Sequence, residues 1–145
     1  MKEIQAAGKK PAACHCLNLR RAAQSMTDYY NTALAPSNIN LTQYSLLKTL
    51  RRLEPVNVSE LAKAMQLDRT TLVRNLKSIM EKEYITDLAL SAKRDRQLQL
   101  TAKGQETLEA ATILWNNAQD NVQSYLGQDK LAMLTALLFQ IETIS

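Results

Sequence analysis

A chain of 145 residues with 46% hydrophobic and 22% charged side chains is the size of one domain or two small sub-domains sharing a core, and this balance excludes wholesale disorder. The net charge of +4 is uneven: Arg69 to Lys103 holds eight cations against four acids, while Gly104 onward holds one cation against five acids, so the middle suits a polyanion unless it is only a mixed, solvated surface. No apolar run reaches the ~20 residues of a membrane span, the N-terminal MKEIQAAGKKPAAC lacks the apolar stretch of a signal peptide, and two cysteines make no disulfide framework, so a cytoplasmic protein with no membrane partner is expected.

In chain order, residues 1–11 read as a loose tail. From about Ala12 to Ala35 an amphipathic stripe of Leu17, Arg21, Ala22, Met26, Tyr29 and Leu34 predicts a helix that Pro36 ends. After the turn Ser37–Asn40, a second helix starts at Leu41 with Leu46, Leu47, Leu50 and Leu53 inward, and Pro55 closes it. Val56–Val58 is short and β-prone. Ser59 suits the N-cap of a third helix, Glu60–Met65, and Asp68 the N-cap of a fourth running to about Tyr84. Two helices joined by a tight connection have the shape of a helix-turn-helix. Beyond them, Ile85, Leu88 and Leu90, then Leu98 and Leu100, alternate with polar residues around Ser91–Arg96, which predicts a β-hairpin with a cationic tip. Thr101 caps a long helix with Leu108, Ala111, Trp115, Ala118, Val122 and Leu126 on its stripe. Gly127 ends it, and a last helix, about Gln128–Ile144, carries Leu131, Leu134, Leu138 and Ile141.

The fourth helix has two faces. At ~100° per residue, Leu72, Leu76, Ile79, Met80 and Glu83 fall on one side, and Thr70, Thr71, Arg74, Asn75, Lys77 and Ser78 on the other. A helix made only for solvent usually mixes Glu with Lys for i,i+4 pairing. Here the first two polar turns hold no acid, and Glu81 comes only later. Arg and Asn can read base edges, Thr and Ser suit phosphates and thymine methyls, and a helix N-terminus favours phosphate. Arg69 lies nearer the apolar side but can swing outward from the first turn. Lys93, Arg94 and Arg96 at the hairpin tip are suited to a minor groove. Either element alone is commonly just solvated surface. In this order they describe a winged helix that binds double-stranded DNA: a mainly α fold with a small β-hairpin wing.

These residues carry a family resemblance. From Leu41 to Gly104, and above all in Leu61-Ala62, Asp68-Arg69-Thr70-Thr71-Leu72-Val73-Arg74 and Leu100-Thr101 followed by Gly104, the sequence resembles the MarR family of winged-helix regulators. The resemblance implies that Thr70, Thr71, Arg74 and Asn75 belong to a recognition helix, and that Arg94 is the wing arginine. The family's wing aspartate is replaced by Ala92, with Asp95 or Asp87 as substitutes, and Tyr84 stands near the family's glycine after the recognition helix. It also implies a homodimer on a pseudo-palindromic operator, with residues 12–36 and 104–145 as dimerisation helices around a DNA-binding domain at 37–103. A small aromatic effector would make Tyr29, Tyr30, Tyr44 and Trp115 pocket residues, the alternative being core or interface aromatics.

Catalysis finds no support: there is one histidine, no phosphate loop and no nucleophile motif, so neither catalytic residues nor a cofactor are expected. Cys14-His15-Cys16 could sense oxidants through its thiols, but adjacent residues wrap a metal poorly and a disulfide across one residue is strained, so a plain helix start is favoured and no metal site is expected. The expected function is a DNA-binding transcriptional regulator, a repressor released by a small effector. The rivals are a winged-helix protein–protein adaptor and a redox regulator acting through Cys14 and Cys16.

Overall fold

The structure is a computed structural model that describes residues 10–88 and 96–145. Six helices and one hairpin follow in the order α1 (His15–Leu34), α2 (Leu41–Leu53), α3 (Val58–Ala64), α4 (Arg69–Glu81), β1 (Ile85–Asp87), β2 (Leu98–Leu100), α5 (Ala102–Leu126) and α6 (Gln128–Glu142), with a 3-10 turn at Ala35–Ser37. This is the winged helix expected from the sequence pattern, mainly α with a two-stranded wing.

Local chemistry sets the boundaries. α2 opens with a capping box: Asn40 Oδ1 accepts from Gln43 N–H at 2.9 Å, and Gln43 Oε1 accepts from Asn40 N–H at 2.9 Å. α1 starts at His15 rather than Ala12, because the Asn18 side chain occupies both backbone groups of Ala12, each at 2.8 Å, and keeps that segment out of the helix. α3 is capped by Asn57, not Ser59. Asn57 Oδ1 accepts from Glu60 N–H at 2.8 Å, so Val58 enters the first turn and is buried.

α4 ends at Glu81, three residues before the expected Tyr84. Tyr84 N–H bonds Ile79 O at 3.2 Å and Glu83 N–H bonds Met80 O at 2.9 Å, a Schellman closure with Glu83 in the left-handed region at φ 62°. α3 closes the same way through Gln66 at φ 55°, with Leu67 N–H on Ala62 O at 3.0 Å.

The core is continuous across the winged helix. Leu46, Leu47 and Leu50 of α2 pack with Leu61 of α3, Leu72, Leu76 and Ile79 of α4, and Leu98 and Leu100 of β2. β1 and β2 pair antiparallel, with Ile85 opposite Leu100 and Asp87 opposite Leu98. Val56 adds an isolated bridge to Leu98, the outcome of its β-prone segment. Leu88 lies beyond β1 and is 55% exposed, while Leu90 lies outside the described residues. α5 packs against α1, α2 and α6. Thr101 caps α5 and Gly127 ends it, both as expected.

Candidate nucleic-acid interface

α4 is seated by burying one face. Leu72, Leu76 and Ile79 are fully or almost fully covered, and each such side chain contributes about 1.5–3 kcal/mol of transfer free energy. Burial of that face turns Thr70, Arg74 and Lys77 outward, at positions i, i+4 and i+7 of one exposed stripe. Arg69 is exposed at the first helical residue. Thr71 and Asn75 flank the stripe and are half-buried. The Thr71 hydroxyl is engaged at the cap: it donates to Asp68 Oδ2 at 2.8 Å, while Thr71 N–H donates to Oδ1 at 2.7 Å. The backbone bond and then the side-chain bond from Thr71 hold the Asp68 carboxyl below its ordinary value.

Sequence reasoning missed Val73. It is 43% exposed and sits at the edge of the apolar side, about 20° from Met80 and 40° from Lys77 around the helix. Periodicity alone groups it with the apolar side, and only the packing shows it exposed. Val73, Arg74, Lys77, Met80 and Arg96 line an open groove of about 470 Å³ between α4 and the base of the wing.

Lys93 and Arg94, with Ala92 and Asp95, lie outside the described residues. Arg96 does not point away from the protein. Its Nε donates to Asp87 Oδ2 at 3.0 Å and its Nη2 approaches Met80 Sδ at 3.4 Å. Asp87, one of the two acids considered as stand-ins for the family's wing aspartate, bonds Arg96.

The four candidate pocket aromatics divide into two groups. Tyr44 is buried and stacks on half-buried Trp115 with centroids 5.7 Å apart, and Lys48 Nζ sits 4.5 Å above the Trp115 ring. Tyr29 and Tyr30 meet edge to face at 6.0 Å, with the Tyr30 hydroxyl bonded to Gln119 Oε1. Burial raises the Tyr30 hydroxyl above its ordinary value, with neighbouring Tyr29 adding to the effect. Tyr29 lines a second groove, about 570 Å³, with Met26 of α1 and Val122, Tyr125 and Leu126 of α5. Cys14 caps α1 without a side-chain hydrogen bond, Cys16 lies in its first turn, and both thiols are free and exposed. Among the described residues no three His, Cys, Asp or Glu side chains gather as a metal site would require, and no helix is long and apolar enough to cross a membrane.

The MarR family profile matches residues 39–90, which runs from just ahead of α2 through β1, the first strand of the wing. A Mycobacterium tuberculosis transcriptional regulator, MosR, solved in complex with DNA, shares 33% identity over 89% of this chain and 96% of its own, with a TM-score of 0.72. The transcriptional repressor CouR, bound to a 23-mer DNA duplex, shares 25% identity over 89% of this chain and 92% of its own, with a TM-score of 0.79. The same repressor bound to p-coumaroyl-CoA shares the fold at a TM-score of 0.80 and 23% identity, covering 91% of this chain and 94% of its own. An uncharacterised HTH-type transcriptional regulator of Staphylococcus aureus (strain Mu50) is 26% identical over 114 residues, 77% of this chain and 78% of that protein. With 33% identity to MosR across 89% of this chain and 96% of that one, this protein belongs to the MarR family of transcriptional regulators.

Proposed function

We propose that this regulator is a homodimeric repressor that binds a pseudo-palindromic duplex and leaves it when a small aromatic effector binds. The observation that carries the DNA reading is the stripe Thr70–Arg74–Lys77 with Val73 beside it, exposed and free of acids until Glu81, on a helix whose opposite face is buried. Phosphate contacts fall to Arg69, Thr70, Lys77 and Lys93, and base contacts to Arg74, Asn75 and Thr71. Val73 is suited to a thymine methyl, and Arg94 to the minor groove. Residues 37–103 are the DNA-binding part.

Residues 12–36 and 104–145 hold the dimer. From Leu131 to Ile141 there is no charged residue, and among the described residues none on α6 is buried. Met133 is 65% exposed, Phe139 63% and Leu137 49%, and an apolar helix of this kind calls for a second surface. A second copy supplies it, and two-fold symmetry then places two α4 helices about one DNA turn apart, ~34 Å. For the effector, the half-buried Trp115 under Lys48 joins an aromatic face to a cation, a pair that suits an aromatic acid, and p-coumaroyl-CoA in CouR is the precedent for ligand binding on this fold.

Fluorescence anisotropy against DNA from upstream of the protein's own gene, with a scrambled duplex as control, tests this reading. Tight binding to the upstream duplex alone is expected. Equal, steeply salt-sensitive binding to both places the operator elsewhere, and binding to neither favours the adaptor. The exposure of Cys14 and Cys16 favours one further reading, release of DNA on thiol oxidation. Oxidant-sensitive binding that disappears in Cys14→Ser or Cys16→Ser is its signature.

A further inference from the structure

β1 and β2 pair over three residues, and a two-stranded hairpin of that size has little stability of its own. Asp87, the last residue of β1, grips the returning strand with both oxygens. Oδ1 accepts from Gln97 N–H at 3.0 Å, and Oδ2 accepts from Arg96 Nε at 3.0 Å. Just beyond the strands, Leu88 N–H donates to Gln97 O at 2.8 Å. The Arg96 guanidinium continues past the wing to α4, where Nη2 meets Met80 Sδ at 3.4 Å. The Arg96 and Asp87 side chains are 34% and 17% exposed, so water competes for this pair less than for one on the open surface.

We propose that Asp87 and Arg96 are positioning residues for DNA recognition, forming a strut that sets the wing's direction relative to α4. The Arg96 charge is directed at Asp87 and the helix, not at a phosphate. Its fork joins two elements that, on the DNA reading above, must meet one duplex together, and the assignment rests on that reading. An arginine is required because one planar group must reach a carboxylate through Nε and a thioether through Nη2, which a lysine cannot do.

The test is operator binding by anisotropy, with amide hydrogen exchange of the free protein. On charge alone, Asp87→Asn removes an anion near DNA and tightens binding. The strut predicts the opposite sign: about tenfold weaker binding for Asp87→Asn, comparable weakening for Arg96→Gln, and a double variant no weaker than the worse single. Arg96→Lys, which keeps the charge, behaves like Arg96→Gln. In free Asp87→Asn the Leu88 and Gln97 amides exchange faster while those of Leu46 and Leu47 stay protected, which shows that the domain remains folded. If that protection is lost throughout α2, Arg96→Lys is the variant that decides. Full affinity in Asp87→Asn or Arg96→Lys overturns the strut and leaves DNA binding intact. Wild-type protein that binds no duplex overturns the DNA reading itself, and the strut with it.

Discussion

At the scale of single residues, three positions carry separable roles. Arg74 is exposed on α4 and its guanidinium has no hydrogen-bond partner among the described residues. Arg74→Ala is expected to weaken specific binding by about 1–3 kcal/mol, with the thermal melt unchanged; unaltered operator affinity in an anisotropy titration removes Arg74 from the base-reading set. Glu83 occupies the left-handed residue of the α4 closure at φ 62°, where a Cβ is strained. Glu83→Gly is expected to stabilise the fold by about 1 kcal/mol, seen as a higher urea midpoint at constant slope. Asp68 illustrates the pH dependence. Its folded carboxyl is depressed by the Thr71 bonds below 3.8, so the stability it adds is complete above that value and is lost as pH falls through the lower folded value. Asp68→Asn keeps an acceptor for Thr71 N–H, and its stability is expected to lose this acid-side dependence. A wild-type and Asn variant that melt in parallel from pH 5 to pH 2 would show that the cap is not titrating.

At the scale of elements, the junction between the wing and α5 is the tightest point. Leu100-Thr101 followed by Gly104 was part of the family pattern, and its physical reason lies in the packing. A Cβ on Gly104 would run into the Tyr84 backbone carbonyl, which also accepts from Thr101 N–H at 3.0 Å. Gly104→Ala therefore has to push α5 away from the start of β1. A loss of about 2–3 kcal/mol is expected by chemical denaturation, and a variant as stable as wild type would mean that the junction yields easily. Helix starts were largely legible in single residues: Asp68 and Thr101 were correctly read as caps because a short acceptor stands just ahead of an apolar-periodic run. Asn57 was missed beside Ser59 because both are good cap residues, and the choice between them depends on where Val58 is buried. The end of α4 was read too late because no glycine marks it, Glu83 taking the strained conformation instead.

At the scale of the whole molecule, the question is what covers α6. Its stripe Leu131, Leu134, Leu138 and Ile141 fits from sequence either a core face or a dimer face, and Leu138 is 43% and Ile141 41% exposed. If a second copy covers this face, Phe139→Glu is expected to move the protein from dimer to monomer in sedimentation velocity and to weaken operator binding with it. A variant that stays dimeric would place the interface on another face.

What the sequence determined by itself depends on period and on near neighbours: the helices, the Asp68 and Thr101 caps, the wing as a hairpin, the inward Leu72, Leu76 and Ile79, and so the outward Thr70, Arg74 and Lys77. Once one face of a helix must leave water, geometry directs the other, and no long-range information is needed. Tertiary structure decided where side chains far apart in sequence meet. It turned Arg96 back onto Asp87 and Met80, separated Tyr44 and Trp115 from Tyr29 and Tyr30, and set Gly104 against Tyr84. A side chain's type states which partners it can accept, but its reach is several ångströms in any direction, and only the packed backbone selects the partner it meets.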